Sequence, residues 1–316
     1  MNIDLLLPIG LLIISLVFLV KSADIFTNAS ERIGLYFGLS SFIVGATIVS
    51  IGSSLPELAT SLISILSHDP EQAKFPIDNI IGSNIANTLL VGGIAAIAVK
   101  TLKVKEELID VDLPFFFISS ALFLLFIMDG SFNWKEGIIS LILLAIFIAY
   151  TIKDEPVEKE KVEKVKKIDF KEFFLVGLGA FGIYISAKYT VSNVLEISNQ
   201  IPNIDTTLIT MLVVAIGTSL PEIIVSVRAA IKGKHSIALG NIFGSNTFNV
   251  LAVAGIPSFF GTLKVSDGAM TIGIPFFIVA SLGFIFATSD DRIENWEGYA
   301  LLVIYLAFVG KLLGIV

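Results

Sequence analysis

Long apolar runs constrain the fold of this chain more than any other feature of its sequence. They cover roughly residues 4–22, 36–66, 79–99, 110–128, 135–152, 173–195, 205–231, 236–260, 268–287 and 296–315. A helix crosses the hydrocarbon core of a bilayer with about 20 mostly apolar residues. The chain has 316 residues, 55% hydrophobic and 16% charged, and so has room for ten such helices and little else. We therefore predict an all-α integral membrane protein with ten transmembrane helices.

Two polar motifs each occur twice in the same order. The segment Ile51–Glu57, with the sequence IGSSLPE, recurs 165 positions later as IGTSLPE at Ile216–Glu222. A second motif, NIIGSN followed three residues later by another asparagine, recurs 162 positions later as NIFGSN with the same following asparagine. Its two copies are Asn79–Asn84 with Asn87, and Asn241–Asn246 with Asn249. The chain is therefore an internal duplication.

The charged stretch Lys153–Glu172 divides the predicted spans five and five. Two halves that share a fold but contain an odd number of spans must enter the membrane from opposite sides. We therefore predict two inverted-topology five-helix repeats, an architecture found in many secondary transporters. The predicted organisation is a first repeat at residues 1–153, a charged linker at 154–172 and a second repeat at 173–316.

The distribution of basic residues predicts an orientation. Positive charges collect in cytoplasmic loops, and an N-terminus outside the cell places 15 of the 21 Lys and Arg residues in the cytoplasm. Met1–Asp4 lacks the basic region of a signal peptide, so we expect the first apolar run to be the first span. The prediction is a multi-pass protein of the cell membrane with both termini outside and the linker in the cytoplasm.

Composition excludes several classes of partner and cofactor. A net charge of -7 argues against nucleic acid, which needs a clustered basic surface. The chain has no cysteine and only two histidines, so a bound metal ion must be held by oxygen atoms. We expect the bilayer as solvent, no nucleic-acid partner, no cofactor, and function as a monomer.

A glutamate follows a proline in both copies of the first motif. Carboxylates in mid-membrane cost roughly 3 kcal/mol on insertion scales and are tolerated mainly where they face a cavity or an ion. Pro56 and Pro221 cannot donate a helical hydrogen bond, so each predicts a helix broken beside Glu57 or Glu222. Broken backbone at membrane depth is tolerated where it lines a polar site.

Helical spacing predicts which residues share the faces of these two glutamates. Positions three, four and seven residues before each glutamate lie on its face, and the next span of each half carries a serine and an asparagine at i and i+4. The candidate cation ligands are Ser50, Ser53, Ser54, Glu57, Ser83, Asn87, Ala215, Thr218, Ser219, Glu222, Ser245 and Asn249. Such an oxygen set suits Ca²⁺ or Na⁺, and two carboxylates balance one divalent ion, two monovalent ions or two protons.

These duplicated motifs resemble those of the calcium/cation antiporter superfamily, and most closely its prokaryotic sodium/calcium exchangers. The resemblance implies that Ca²⁺ and Na⁺ share one mid-membrane cluster centred on Glu57 and Glu222, with the carbonyl groups of Ser50 and Ala215 among the ligands. It also implies that the first and sixth spans slide across the others. Some relatives, notably the potassium-dependent branch, carry aspartate where this chain has Asn249, so the resemblance argues against potassium co-transport.

The function expected from this reading is secondary exchange of Ca²⁺ for Na⁺, and the protein is expected to be a transporter and not an enzyme. Two alternatives stay open, namely Ca²⁺/H⁺ antiport through the same two glutamates and a cation channel. The proton-coupled branch commonly has an acidic residue in a Gly-Asn-Ala-type motif, which this chain lacks, so sodium is favoured. A membrane enzyme is the weakest candidate because the sequence has no His-Glu-x-x-His motif.

Overall fold

The computed structural model describes residues 3–68, 70, 72–103, 112–153, 169–199, 219–290 and 292–316, and these residues are mostly helical. The helices of the first part are α1 (Ile3–Phe37), α2 (Ser41–Val44, continued by a π-helical turn at Gly45–Val49 and by Ser50–Ser53), α3 (Leu55–Leu66), α4 (Phe75–Ile85, continued by a π-helical turn at Ala86–Val91 and by Gly92–Val99), α5 (Asp112–Ile127) and α6 (Trp134–Lys153). The second part contains α7 (Phe170–Asn199), α8 (Leu220–Ile231), α9 (His235–Phe248, continued by a π-helical turn at Asn249–Val253), α10 (Ile274–Thr288, preceded by a π-helical turn at Ala269–Gly273) and α11 (Asn295–Leu312).

Six helical stretches of the described residues are long and apolar enough to cross a membrane. They are Leu7–Phe37, Ser41–Leu66, Gln72–Val99, Trp134–Thr151, His235–Phe259 and Ala269–Thr288, and Leu113–Ile127 is a shorter apolar helix. These stretches establish a multi-pass membrane protein, as predicted. The predicted run at 205–231 is described only over Leu220–Ile231, so the count of ten spans stays a prediction.

The first helix is longer than its apolar run predicts. Helix α1 continues beyond residue 22 to Phe37 and packs along α7 for much of its length. Its more polar C-terminal part buries Phe26 and Ile33 and forms ion pairs with other elements. Asp24 forms 2.8 Å ion pairs with Arg228 and Lys232, while Glu31 is paired with Lys234.

Four short strands pair loops with one another. The described chain is therefore mostly helical, and the prediction of an all-α protein missed these strands. Strand β1 (Thr101–Lys103) pairs antiparallel with β4 (Arg292–Glu294), and β2 (Ser131–Phe132) pairs antiparallel with β3 (Leu263–Lys264). Each strand has one fully buried apolar side chain, namely Leu102, Ile293, Phe132 and Leu263. Three residues or fewer leave too short a pattern to predict a strand from sequence.

Helices α2 and α9 approach each other closely at glycine residues. A Cβ atom added at Gly45 would lie 2.6 Å from the carbonyl oxygen of Ile237, and one added at Gly240 would lie 2.5 Å from that of Phe42. At Gly244 an added Cβ would overlap the carbonyl oxygen of Ala46. Small residues let backbones approach in membrane proteins, where packing drives helix association. These contacts bring α2, which carries the first motif, against α9, which carries the second copy of the second motif.

Candidate cation-binding site

Two buried glutamates occupy equivalent positions in the first turns of α3 and α8. Glu57 is the third residue of α3 and Glu222 the third of α8, and their side chains are 0% and 1% exposed. Helix α2 ends at Ser53 and α3 restarts at Leu55, which places the predicted break beside the carboxylate. The partial positive charge of a helix N-terminus stabilises an anion there.

A hydrogen bond joins the first motif of one half to the glutamate of the other. The Ser54 hydroxyl donates to Oε1 of Glu222 over 2.9 Å. The second oxygen of that carboxylate, Oε2, is buried and has no hydrogen-bond partner among the described residues. A buried carboxylate oxygen without a donor costs free energy unless a cation or a proton occupies it. This oxygen is therefore available to a ligand.

The Ser53 hydroxyl lies at a second junction between the halves. It is 3.1 Å from Asn241 Oδ1 and 3.4 Å from the Ser245 hydroxyl, and it can also donate to the carbonyl group of Ser50 at 3.3 Å. Asn241 in turn donates from Nδ2 to the Ser226 hydroxyl over 2.8 Å. Asn241 thus connects α2, α8 and α9 through a single carboxamide.

The two predicted asparagine ligands lie in π-helical turns. Asn87 is inside the turn at Ala86–Val91, and Asn249 begins the turn at Asn249–Val253. Single π-helical turns inside α-helices occur frequently at functional sites. Both amide atoms of Asn87, and Oδ1 of Asn249, are buried without a hydrogen-bond partner among the described residues. Nδ2 of Asn249 donates to Oδ1 of Asn84 over 3.0 Å.

The structure places ten of the twelve predicted ligands in its buried interior, each at most 1% exposed. These are Ser50, Ser53, Ser54, Glu57, Ser83, Asn87, Ser219, Glu222, Ser245 and Asn249. Hydrogen bonds bring together Ser50, Ser53 and Ser245, and separately Ser54 and Glu222. The remaining two predictions, Ala215 and Thr218, lie outside the described residues.

The carbonyl group of Ser50, an implied ligand, accepts a helical hydrogen bond from the Ser54 amide over 3.0 Å. The Ser50 hydroxyl donates to the carbonyl group of Ala46 over 2.7 Å. Its hydrogen is therefore used inside its own helix, which leaves the hydroxyl lone pairs for other interactions.

The predicted ligand set leaves out two residues that the structure places in this network, Asn84 and Asn241. Asn241 begins the second motif, and Asn84 is the last residue of the NIIGSN segment. Their recurrence in both halves was the signal that could have identified them. Helical spacing relative to the glutamates could not, because both residues lie on other helices and reach the site through hydrogen bonds across the interface.

The predicted ligands offer only oxygen and carboxamide atoms to a cation. Within the described part of the chain, no group of three or more His, Cys, Asp or Glu side chains is positioned to hold a metal ion. The predicted ligands instead comprise two buried carboxylates with buried hydroxyl and carboxamide groups. Ca²⁺ accepts 6–8 such oxygens in flexible geometry.

Comparison with known proteins decides the family. The model of the family described as sodium/calcium exchanger protein matches residues 7–153 and 171–313 of this chain. The chain belongs to this family. It is therefore related to ion exchangers, which are transporters and not enzymes.

Relatives of this exchanger match over nearly their whole length. An uncharacterized membrane protein of Methanocaldococcus jannaschii, MJ0091, is 31% identical over 98% of this chain and 99% of its own length. The sodium/calcium exchanger MaX1 of Methanosarcina acetivorans is 30% identical over 95% of this chain and 96% of its own. A structure of the sodium-calcium exchanger NCX_Mj, soaked with Na⁺ and Sr²⁺, aligns with a TM-score of 0.81 at 29% identity and covers 97% of this chain and 99% of that one.

Proposed function

We propose that this exchanger carries Ca²⁺ in one direction and Na⁺ in the other through one site that contains Glu57 and Glu222. The observation that carries the proposal is the buried bond from Ser54 to Glu222, which leaves Oε2 of that carboxylate without a protein donor among the described residues. The two glutamates balance the charge of one Ca²⁺ ion. The same oxygens can then hold Na⁺ when Ca²⁺ has left, which is what exchange requires.

The ligand set we propose consists of the twelve residues predicted from the sequence. The buried positions of ten of them support it, as do the Glu222 and Asn249 oxygens that have no hydrogen-bond partner among the described residues. Asn241 would support the site from outside, because its carboxamide is bonded to both Ser53 and Ser226.

We further propose sodium, and neither protons nor potassium, as the counter-ion. The cluster has carboxamides at Asn87 and Asn249, so its only carboxylates among the described residues of the two motifs are Glu57 and Glu222. A site with two carboxylates has no further negative charge to balance a potassium ion beside the calcium ion. The names of MaX1 and NCX_Mj, both sodium/calcium exchangers, support the same choice.

Access to the site would alternate between two inverted five-helix repeats, residues 1–153 and 173–316, joined by a cytoplasmic linker at 154–172. The proposed topology has ten spans with both termini outside the cell. The repeated motifs support this arrangement, as does the packing of α1 along α7, the two helices proposed to slide together. A single copy contains all twelve proposed ligands, so we propose that the monomer transports.

The test is calcium uptake by the full chain reconstituted in proteoliposomes. Vesicles are loaded with Na⁺ and diluted into Na⁺-free buffer containing radioactive Ca²⁺. Matched vesicles have only an outward proton gradient, and a third set has Na⁺ inside and K⁺ on both sides. Liposomes containing a Glu57→Gln, Glu222→Gln double variant measure leakage.

We expect uptake that follows the sodium gradient, is unchanged by K⁺ and is lost in the double variant. Uptake driven by protons alone would overturn the choice of sodium and leave Ca²⁺/H⁺ antiport. Equilibration of Ca²⁺ that ignores both gradients would overturn exchange and indicate a channel. Normal sodium-driven uptake by the double variant would overturn the proposed site.

A further inference from the structure

Three asparagines form a chain of hydrogen bonds that ends at the proposed cation site. Nδ2 of Asn84 donates to the main-chain carbonyl oxygen of Asn246 over 3.1 Å. Oδ1 of Asn84 accepts from Nδ2 of Asn249 over 3.0 Å. All three side chains are buried, with at most 3% of their surface exposed. We call the two bonds from Asn246 through Asn84 to Asn249 the asparagine relay.

The relay has a defined direction because the Asn246 carbonyl oxygen at one end can only accept a hydrogen bond. A main-chain carbonyl oxygen has no hydrogen to donate, so Asn84 must face it with its amino group. The oxygen of the Asn84 carboxamide then faces Asn249, which must donate a hydrogen bond to it from its own amino group. Oδ1 of Asn249 is consequently turned away from Asn84, and it is buried without a hydrogen-bond partner among the described residues. The Asn246 carbonyl group therefore determines which atom Asn249 has free.

The orientation of this carboxamide matters for a cation. Ca²⁺ and Na⁺ bind the oxygen of a carboxamide, and the amino group, which carries partial positive charge, opposes them. A free asparagine can turn its amide about one torsion angle and present either atom. Restricting it to the oxygen-out orientation lowers the cost of ordering the ligand when the ion arrives.

Among the described residues, no such relay orients Asn87, the counterpart of Asn249 in the first half. Asn246, the counterpart of Asn84, donates to the carbonyl group of Ile242 in its own helix over 2.7 Å. Asn87, the counterpart of Asn249, has no hydrogen-bond partner for either amide atom in the described part of the chain. The duplicated asparagines are thus equivalent in sequence and different in hydrogen bonding.

We propose that Asn84 is a positioning residue that directs Oδ1 of Asn249 toward the transported cation. The inference rests on the proposed function and extends it to a residue outside the ligand set. It also accounts for a carboxamide at position 249. An aspartate there would place a carboxylate oxygen against Oδ1 of Asn84, and Asn84 could not turn without facing its oxygen toward the Asn246 carbonyl group.

A double-mutant cycle tests this role. The four proteins are the parent, Asn84→Leu, Asn249→Asp and the double variant, each assayed for the KM of sodium-driven Ca²⁺ uptake in proteoliposomes. In the parent background we expect Asn84→Leu to raise the KM for Ca²⁺ about tenfold, with a smaller change in maximal rate, because the amide can turn. In the Asn249→Asp background we expect the same leucine not to raise the KM, because a carboxylate presents oxygen in either orientation and the leucine removes the Asn84 oxygen that opposes it.

Asn246→Leu is the matched control, since it removes an equally buried asparagine side chain and keeps the main-chain carbonyl group that orients the relay. Its effect on the KM should be the same with asparagine or aspartate at position 249. If Asn84→Leu is not recovered folded, Asn84→Ala removes the relay without adding apolar volume, and the same comparison applies.

Equal fold-changes of the KM for the Asn84 variant in both backgrounds would overturn the positioning role and leave Asn84 as a structural residue. That result would leave the proposed function intact, because the parent would still exchange Ca²⁺ for Na⁺. A parent that does not carry Ca²⁺ would overturn the proposed function and this inference with it.

Discussion

The Ser54 hydroxyl donates a 2.9 Å hydrogen bond to Oε1 of Glu222, a residue 168 positions later in the chain. The bond connects the first motif of one half with the glutamate of the other. It orients the Glu222 carboxylate, so that one oxygen is occupied and the other is available. A hydrogen bond to a charged group contributes about 1.5–3 kcal/mol, which makes this contact a sensitive point of the proposed site.

Removal of the Ser54 hydroxyl should weaken calcium binding without unfolding the protein. We expect Ser54→Ala to raise the KM for Ca²⁺ about tenfold, because loss of the bond corresponds to roughly 1.5 kcal/mol. The KM is measured from Ca²⁺ uptake in proteoliposomes as a function of Ca²⁺ concentration. Ser61→Ala is the control, since Ser61 is equally buried and its hydroxyl has no hydrogen-bond partner among the described residues. A similar KM for both variants would contradict the role of Ser54.

Neutralising either buried glutamate should abolish transport. Glu57→Gln and Glu222→Gln each leave one negative charge for a divalent ion, so we expect uptake to fall at least about a hundredfold. The parent should unfold at a higher temperature when Ca²⁺ is added, because a ligand that binds only the folded state stabilises it. Each variant should remain folded and lose that shift. Glu196→Gln changes an exposed glutamate on α7 and should keep both properties.

Filling the contact between α2 and α9 should destabilise the protein. In Gly244→Ala the new Cβ would overlap the Ala46 carbonyl oxygen and lie 2.6 Å from the Ser50 hydroxyl oxygen. We expect loss of about 1–3 kcal/mol of unfolding free energy, measured as a lower unfolding temperature in detergent. Gly10→Ala is the control, because a Cβ there has nothing within 4 Å and alanine favours the helix. An unchanged unfolding temperature for Gly244→Ala would show that the two helices separate without cost.

The ion pairs of α1 should stabilise the protein in a salt-dependent way. Asp24→Asn removes the partner of Arg228 and Lys232, whose side chains are 42% and 35% exposed. For such partly exposed pairs we expect a loss of about 1 kcal/mol at low ionic strength. The loss should shrink in about 1 M choline chloride, which screens charges without supplying a transported ion.

Asp290→Asn, which alters an exposed aspartate in a loop, is the control for this measurement. An effect of Asp24→Asn that is independent of choline chloride would point to packing, and would exclude the ion pairs as its cause.

Much of the fold follows from local patterns in the sequence. The apolar runs at 110–128, 135–152 and 268–287 agree closely with the helices Asp112–Ile127, Trp134–Lys153 and Ala269–Thr288. A membrane helix can be recognised in a sequence because it needs about 20 mostly apolar residues in a row. The run at 4–22 predicts too short a helix because the C-terminal part of α1 is polar. That part buries Phe26 and Ile33 and forms ion pairs with α8 and the following loop, contacts that only the tertiary structure supplies.

By itself, the sequence determined that this protein crosses a membrane, that it is a duplication, and that each half has a glutamate accompanied by hydroxyl and carboxamide residues. These facts depend on residue type and on spacing along one helix, and the regular geometry of a helix lets that spacing predict which side chains share a face. The tertiary structure alone decided that Ser54 is hydrogen-bonded to Glu222 and Asn249 to Asn84. The two residues of each pair are 168 and 165 positions apart, so their contact depends on how helices pack and not on any local period. Packing also made the two halves unequal, because Asn84 crosses to the other half while its counterpart Asn246 bonds within its own helix.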